Sequence, residues 1–122
     1  MEDSYHEPVE ELSEECRDLH RGFLTIMEEF EAADWYQQRI DATKDNQLKE
    51  VLTYLRNEEL EHATYVMEWL RRNVPELDQK MRAILFREGD ILLNKDEPQV
   101  QPQAVQQQTE SLLKRLHKNQ TD

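Results

Sequence analysis

The chain has 122 residues, the size of one ordinary domain, with 34% charged residues, only two glycines and a net charge of −12. A composition rich in Glu, Leu, Gln and Arg favours helices, and the negative charge argues against nucleic acid and anionic membrane surfaces as partners. Cys16 is the only cysteine, which rules out an internal disulfide and points to a reducing compartment. No apolar run approaches the ~20 residues needed to cross a bilayer. The acidic stretch Met1 to Glu10 lacks the basic and apolar regions of a secretory signal, so a cytoplasmic protein is expected.

In chain order, Pro8 suits the first turn of a helix. From there Val9, Leu12, Cys16, Leu19, Phe23, Ile26, Phe30 and Ala33 recur at steps of three and four. That spacing predicts one apolar stripe on a helix running to Arg39 or Ile40. Gly22 inside it costs about 1 kcal/mol relative to Ala and marks a close approach of a second helix. Asp41-Ala-Thr-Lys-Asp45 breaks the pattern and offers Thr43 or Asp45 as an N-cap. A second stripe follows with Leu48, Leu52, Leu55, Glu59, His62, Val66 and Trp69, closed by Arg71 and Arg72 where the helix dipole favours cations. So short a loop forces an antiparallel hairpin. Pro75 opens a shorter third helix with Leu77, Met81, Ile84 and Leu85, extending toward Ile91 unless Gly89 ends or kinks it. Three regions result: a helical domain over residues 1–94, a disordered Gln- and Pro-rich linker over 95–108, and a tail over 109–122. The tail carries Leu112, Leu113 and Leu116 beside Lys114, Arg115 and Lys118.

The chemistry centres on Glu59-Leu-Glu-His62, an E-x-x-H that places a carboxylate and an imidazole on one helical face. The motif alone is common; its position on the apolar stripe between Leu55 and Val66 sets it apart. An inward ionised Glu without a partner costs several kcal/mol, so it calls for a cation or a shared proton. Glu29, beside the stripe of the first helix, lies at a similar height in an antiparallel hairpin. Carboxylate-bridged di-iron bundles take a Glu from each of two helices and an E-x-x-H from each of two others. One chain supplies one of each, which is half a site and half a bundle; a two-fold axis completes both. Carboxylates with imidazole and no thiolate favour iron or manganese over a closed zinc site. Tyr36 is placed to support a ligand or to pass an electron. Ordinary aromatic packing is the other reading for Tyr36 and the leading one for Trp35, and Glu28 and Glu31 read as solvated acid or an ion-attracting rim.

Met27-Glu-Glu-Phe-Glu-Ala-Ala-Asp-Trp-Tyr36, Asn57-Glu-Glu-Leu-Glu-His-Ala63, Met67-Glu-Trp-Leu-Arg-Arg-Asn73 and His6-Glu-Pro8 occur in an order and spacing that resembles the encapsulated ferritins. The resemblance spans roughly residues 6 to 92. It implies an all-α fold in which a two-helix hairpin with a short C-terminal helix dimerises into a ferritin-like four-helix bundle. It implies Glu29, Glu59 and His62 as ligands of a di-iron ferroxidase centre shared by two chains, with Tyr36 and Trp35 as the aromatic pair beside it. Glu28 and Glu31 become the acidic positions through which ions arrive. It further implies a homodimer assembling to a decameric ring, and delivery by the C-terminal tail into an encapsulin nanocompartment for iron storage. Ser111-Leu-Leu-Lys-Arg-Leu116 departs from the pattern, because shell-docking peptides of the family usually contain Gly. Two other readings stay open: a di-metal peroxidase or oxygenase of related fold, and a helical homodimer module in which Glu59 and His62 are a protonation-sensitive pair.

Overall fold

A computed structural model describes residues 5–92 and 102–118 of the chain. Among the described residues the only regular structure is helical. Helix α1 spans Glu14–Ala42, α2 spans Asn46–Asn73, α3 spans Pro75–Ile84 and α4 spans Pro102–Lys118. None is long and apolar enough to cross a membrane.

Helix α1 starts six residues later than the stripe predicts. Pro8 instead precedes a single 3₁₀ turn, Val9–Glu11, after which Leu12 is extended. Ser13 is the true N-cap, its hydroxyl accepting a hydrogen bond from the Cys16 N–H at 3.1 Å. A well-placed Ser side chain satisfies an orphan donor that Pro8 cannot. The Arg17 Nε then donates to the Val9 carbonyl at 3.1 Å and ties the turn back to α1. At the other end α1 runs to Ala42, two residues beyond the expected stop. The loop to α2 is Thr43, Lys44 and Asp45. Thr43 Oγ accepts from the Asp45 N–H at 3.2 Å, and the Asp45 carboxylate accepts from the Leu48 N–H at 2.9 Å as the N-cap of α2.

The two long helices pack as the expected antiparallel hairpin. Its seam is made of small and medium side chains: Ala33, Leu52, Ala63 and Leu70 are buried. Gly22 sits against Trp69 and Leu70, where an added Cβ would lie 2.8 Å from a Trp69 ring carbon. The glycine therefore serves the close approach of the helices. With about 100° between successive residues, each helix has two flanks beside the seam. One carries Thr25, Glu29 and Tyr36 of α1 with Leu55, Glu59, His62, Val66 and Trp69 of α2. The opposite flank carries Phe23, Met27 and Phe30 with Leu60, all more than two-fifths exposed. Two leucines and two alanines are a small core when ordering costs about 1–2 kcal/mol per residue.

The hairpin belongs to a compact unit, Met1–Val74, distinct from a second, Pro75–Asp122. In the second, α3 ends at Ile84, before Gly89 can act on it. Phe86 takes a left-handed φ of 58°, which stops the helix, and Gly89 adopts φ 87° three residues later. Ile91 therefore lies outside α3. Helix α4 begins inside the stretch expected to be a linker. Pro102 stands at its first position, where a missing N–H is tolerated, and Gln and Ala that follow are good helix formers. The rest of the expected linker, residues 95–101, and the end of the tail, residues 119–122, lie outside the described residues. Leu112, Leu113 and Leu116 are exposed.

Candidate metal centre

Glu29 lies near the middle of α1, and Glu59 and His62 near the middle of α2. Antiparallel packing brings all three to one height on one flank. His62 Nδ1 stands 3.5 Å from Glu29 Oε2 and 3.5 Å from Glu59 Oε2. One ligand atom from each residue falls within 4.8 Å of the others, and this is the only such cluster of His, Cys, Asp and Glu among the described residues. Both carboxylates have side chains 23% exposed, while the imidazole is 51% exposed. The site is thus a shallow depression with an open side.

The electrostatics are those of an anionic pocket. The Glu29 carboxyl is raised above its ordinary value, first because it hydrogen-bonds Glu59, then because it is desolvated and faces the charge of Glu59. Two carboxylates side by side cannot both ionise freely. For His62, desolvation favours the neutral ring, but the hydrogen bond with Glu59 and the charges of Glu29 and Glu59 outweigh it, and its pKa is raised. Both shifts record the same fact: the cluster favours an added positive charge, whether a proton or a metal ion.

The donor set fits a hard or borderline cation. Two carboxylates and one imidazole suit iron or manganese, and three protein ligands on an exposed flank leave coordination positions open. The other expected residues are placed less centrally. Tyr36 is half-buried two turns beyond Glu29 on the same flank, with the Arg39 guanidinium 5.6 Å from its ring centroid. That cation–π contact was legible as an i, i+3 pairing of Tyr and Arg on one helix, yet sequence reasoning assigned Arg39 no role. Trp35 is 51% exposed and turned away from the seam; Glu28 is exposed and Glu31 half-buried. None of these three belongs to the cluster. A groove along the same flank, floored by Gly22 and walled by Val66 and Trp69, also escaped the sequence reading.

Comparison with known proteins covers the part of the chain that holds this geometry. Residues 4–88 match the EncFtn-like family. A ferritin-like protein of Thermotoga maritima is 46% identical over 91 residues, covering 75% of this chain and 80% of that protein. An encapsulated ferritin-like protein of Rhodospirillum rubrum is 49% identical over 88 residues, covering 72% of this chain and 63% of that longer protein. The crystal structure of a Nitrosomonas europaea protein is similar with a TM-score of 0.70 at 45% identity, over 72% of this chain and 97% of that one. Helix α4 lies beyond the residues the family matches.

Proposed function

The chain belongs to the EncFtn-like family of encapsulated ferritins, and from that premise we propose that it is a ferroxidase, oxidising ferrous to ferric iron at a di-iron site built by two copies. The carrying observation is the cluster itself: Glu29, Glu59 and His62 within 4.8 Å on a flank that is otherwise largely apolar. Three ligands are too few to enclose two metals, and a two-fold axis through this flank would double them to four carboxylates and two imidazoles. The same contact would cover Val66 and Trp69 and supply the burial that a lone hairpin lacks.

In this reading the residues have separate tasks. Glu29 and Glu59 hold the ions and offset their charge. His62 binds as the neutral ring, so iron competes with protons for it. Tyr36, two turns along α1 on the same flank, steadies a ligand or passes an electron, and Arg39 fixes its ring. Glu28 and Glu31 supply the acidic approach, and family likeness pairs Trp35 with Tyr36 as the aromatics beside the site. Iron is the substrate: each ferrous ion gives up one electron, and a pair reduces dioxygen, with two protons, to hydrogen peroxide.

The opposite flank supports a larger assembly. After two chains pair on the ligand flank, Phe23, Met27 and Phe30 remain uncovered, and a second contact there would join pairs into a ring, which family likeness puts at ten chains. The name of the Rhodospirillum rubrum relative supports the remaining step, delivery into an encapsulin shell where ferric iron is stored. Residues 1–94 carry the oxidation and the segment beyond carries delivery, with Leu112, Leu113 and Leu116 of α4 as the docking row. Aerobic addition of ferrous iron tests the activity: ferric absorbance should rise at least tenfold faster with the protein than in buffer. A rate equal to buffer would remove the ferroxidase reading.

A further inference from the structure

Dioxygen takes four electrons and four protons to become two waters, whereas a pair of ferrous ions supplies two electrons and stops at hydrogen peroxide. A redox-active side chain near the site opens a second branch. There hydrogen peroxide, a third ferrous ion, one phenol and one proton give two waters, one ferric ion and one phenoxyl radical. The O–O bond breaks, and the phenol gives up one electron and its proton. Tyr36 is a phenol placed for such a step, half-buried on the ligand flank and seven residues past Glu29, about 10 Å along α1.

A cation stands over that ring. The exposed guanidinium of Arg39 has its central carbon 5.6 Å from the Tyr36 ring centroid, inside the roughly 6 Å at which a cation is drawn to the negative face of an aromatic ring. The helix dipole accounts for a basic residue in the last turn of α1, but not for where its side chain rests. In a chain with 27 acidic residues, Arg39 enters no ion pair among the described residues. Its charge therefore faces the ring without a carboxylate to offset it. Taking an electron from the ring weakens the attraction that holds the guanidinium there and sets an electron-poor ring beside a full positive charge. Both effects make Tyr36 harder to oxidise.

We propose that Arg39 keeps Tyr36 redox-silent, so that the phenol serves the site by hydrogen bonding and oxygen reduction stops at peroxide. The inference rests on the ferroxidase reading and deepens it, because it decides between the two tasks open to Tyr36. Arg39 acts only through Tyr36 and is a positioning residue.

Electron paramagnetic resonance on the full chain, frozen soon after mixing with ferrous iron and dissolved dioxygen, tests this. The unaltered chain should show no tyrosyl radical. Arg39→Met removes the cation at an exposed position, and should give at least ten times the unaltered chain's signal with helix content kept. Arg39→Lys, which keeps a cation, should give less than half the signal of Arg39→Met. Tyr54 and Tyr65 are 63% and 71% exposed, so the radical must be assigned: the double variant Arg39→Met with Tyr36→Phe should lose it. A Tyr36 radical in the unaltered chain, no gain in Arg39→Met, equal signals from Lys and Met, or a radical that survives in the double variant would each overturn the proposal. Ferric absorbance on the same samples separates the two readings. A rate equal to buffer in the unaltered chain removes the ferroxidase reading and this inference with it. A rate above buffer together with a Tyr36 radical in the unaltered chain removes this inference alone.

Discussion

The two flanks of the α1–α2 hairpin come from the same helices, and both leave large apolar side chains in the open. Phe23, Met27 and Phe30 stand on one; Val51 and Trp69 stand on the other. Only the second also gathers two carboxylates and an imidazole. An apolar flank without an acid cluster needs only a neighbour. A flank with two acids at its centre needs a neighbour and a cation together, because pairing without one brings like charges close. On the proposed function, the contrast separates a flank suited to assembly from one suited to chemistry.

Substitutions on each flank should therefore fail in different ways. The largest effect is expected from Glu59→Ala, which removes a ligand from both half-sites. Losing a group that merely supports a ligand costs about 10–100-fold in affinity or activity, so loss of the ligand should lower ferrous oxidation by at least about 100-fold while circular dichroism is unchanged. Retention of more than a tenth of the rate would place the chemistry elsewhere. Phe30→Glu on the opposite flank should do the converse. Phe30 is already 45% exposed, so the hairpin should tolerate the change. Sedimentation should show rings reduced to pairs with iron oxidation kept; loss of oxidation along with the ring would mean that the flanks are not independent.

Gly22→Ala probes the seam between them. Alanine gains about 1 kcal/mol of helix propensity, but its Cβ would meet Trp69 at 2.8 Å and Leu70 at 3.2 Å. The Trp69 ring has room to move outward, while Leu70 is only 2% exposed and has none. Overpacking of this kind costs about 1–3 kcal/mol, so a net loss of about 1 kcal/mol is expected, read as a lower urea midpoint. A raised midpoint would show that the close approach is not needed.

The smallest effect concerns Glu68, on neither ligand set. Hydrogen bonds from Arg71, then Arg72, hold its carboxyl down at about 2. A depressed folded value stabilises the fold above the ordinary 4.5, and this contribution is lost as pH falls toward 2. The group is exposed, so Glu68→Gln should lower the melting temperature on the order of only 1–2 °C at neutral pH. The difference from the unaltered chain should vanish near pH 2. A difference that persists there would assign the effect to packing.

Much of this was legible in the sequence because it rests on period and position. The steps from Phe23 to Ala33 and from Leu48 to Trp69 fixed two helices, and the short break read at Asp41–Asp45, three residues in the structure, left no choice but a hairpin. The cluster followed from height: Glu29 and Glu59 stand at similar distances from the break. What escaped depended on side chains competing locally. Ser13 outdid Pro8 as the start of α1 because it offers a hydroxyl to an orphan N–H. Phe86 ended α3 by entering the left-handed region, which no pattern of apolar residues reveals. Helix α4 escaped because Gln-rich composition reads as disorder, although Gln is a good helix former once a turn is nucleated. The groove was hidden for a different reason, since it arises from one missing Cβ beside one large ring.

Whether one chain holds half a metal site is decided by iron stoichiometry. Anaerobic titration with ferrous iron, followed by sedimentation velocity on the same samples, reports metal bound and chains assembled together. The expected result is saturation at one iron per chain, with bound metal only in species of two chains or more and a shift toward those species as iron is added. Two irons held by a single unpaired chain would contradict the account.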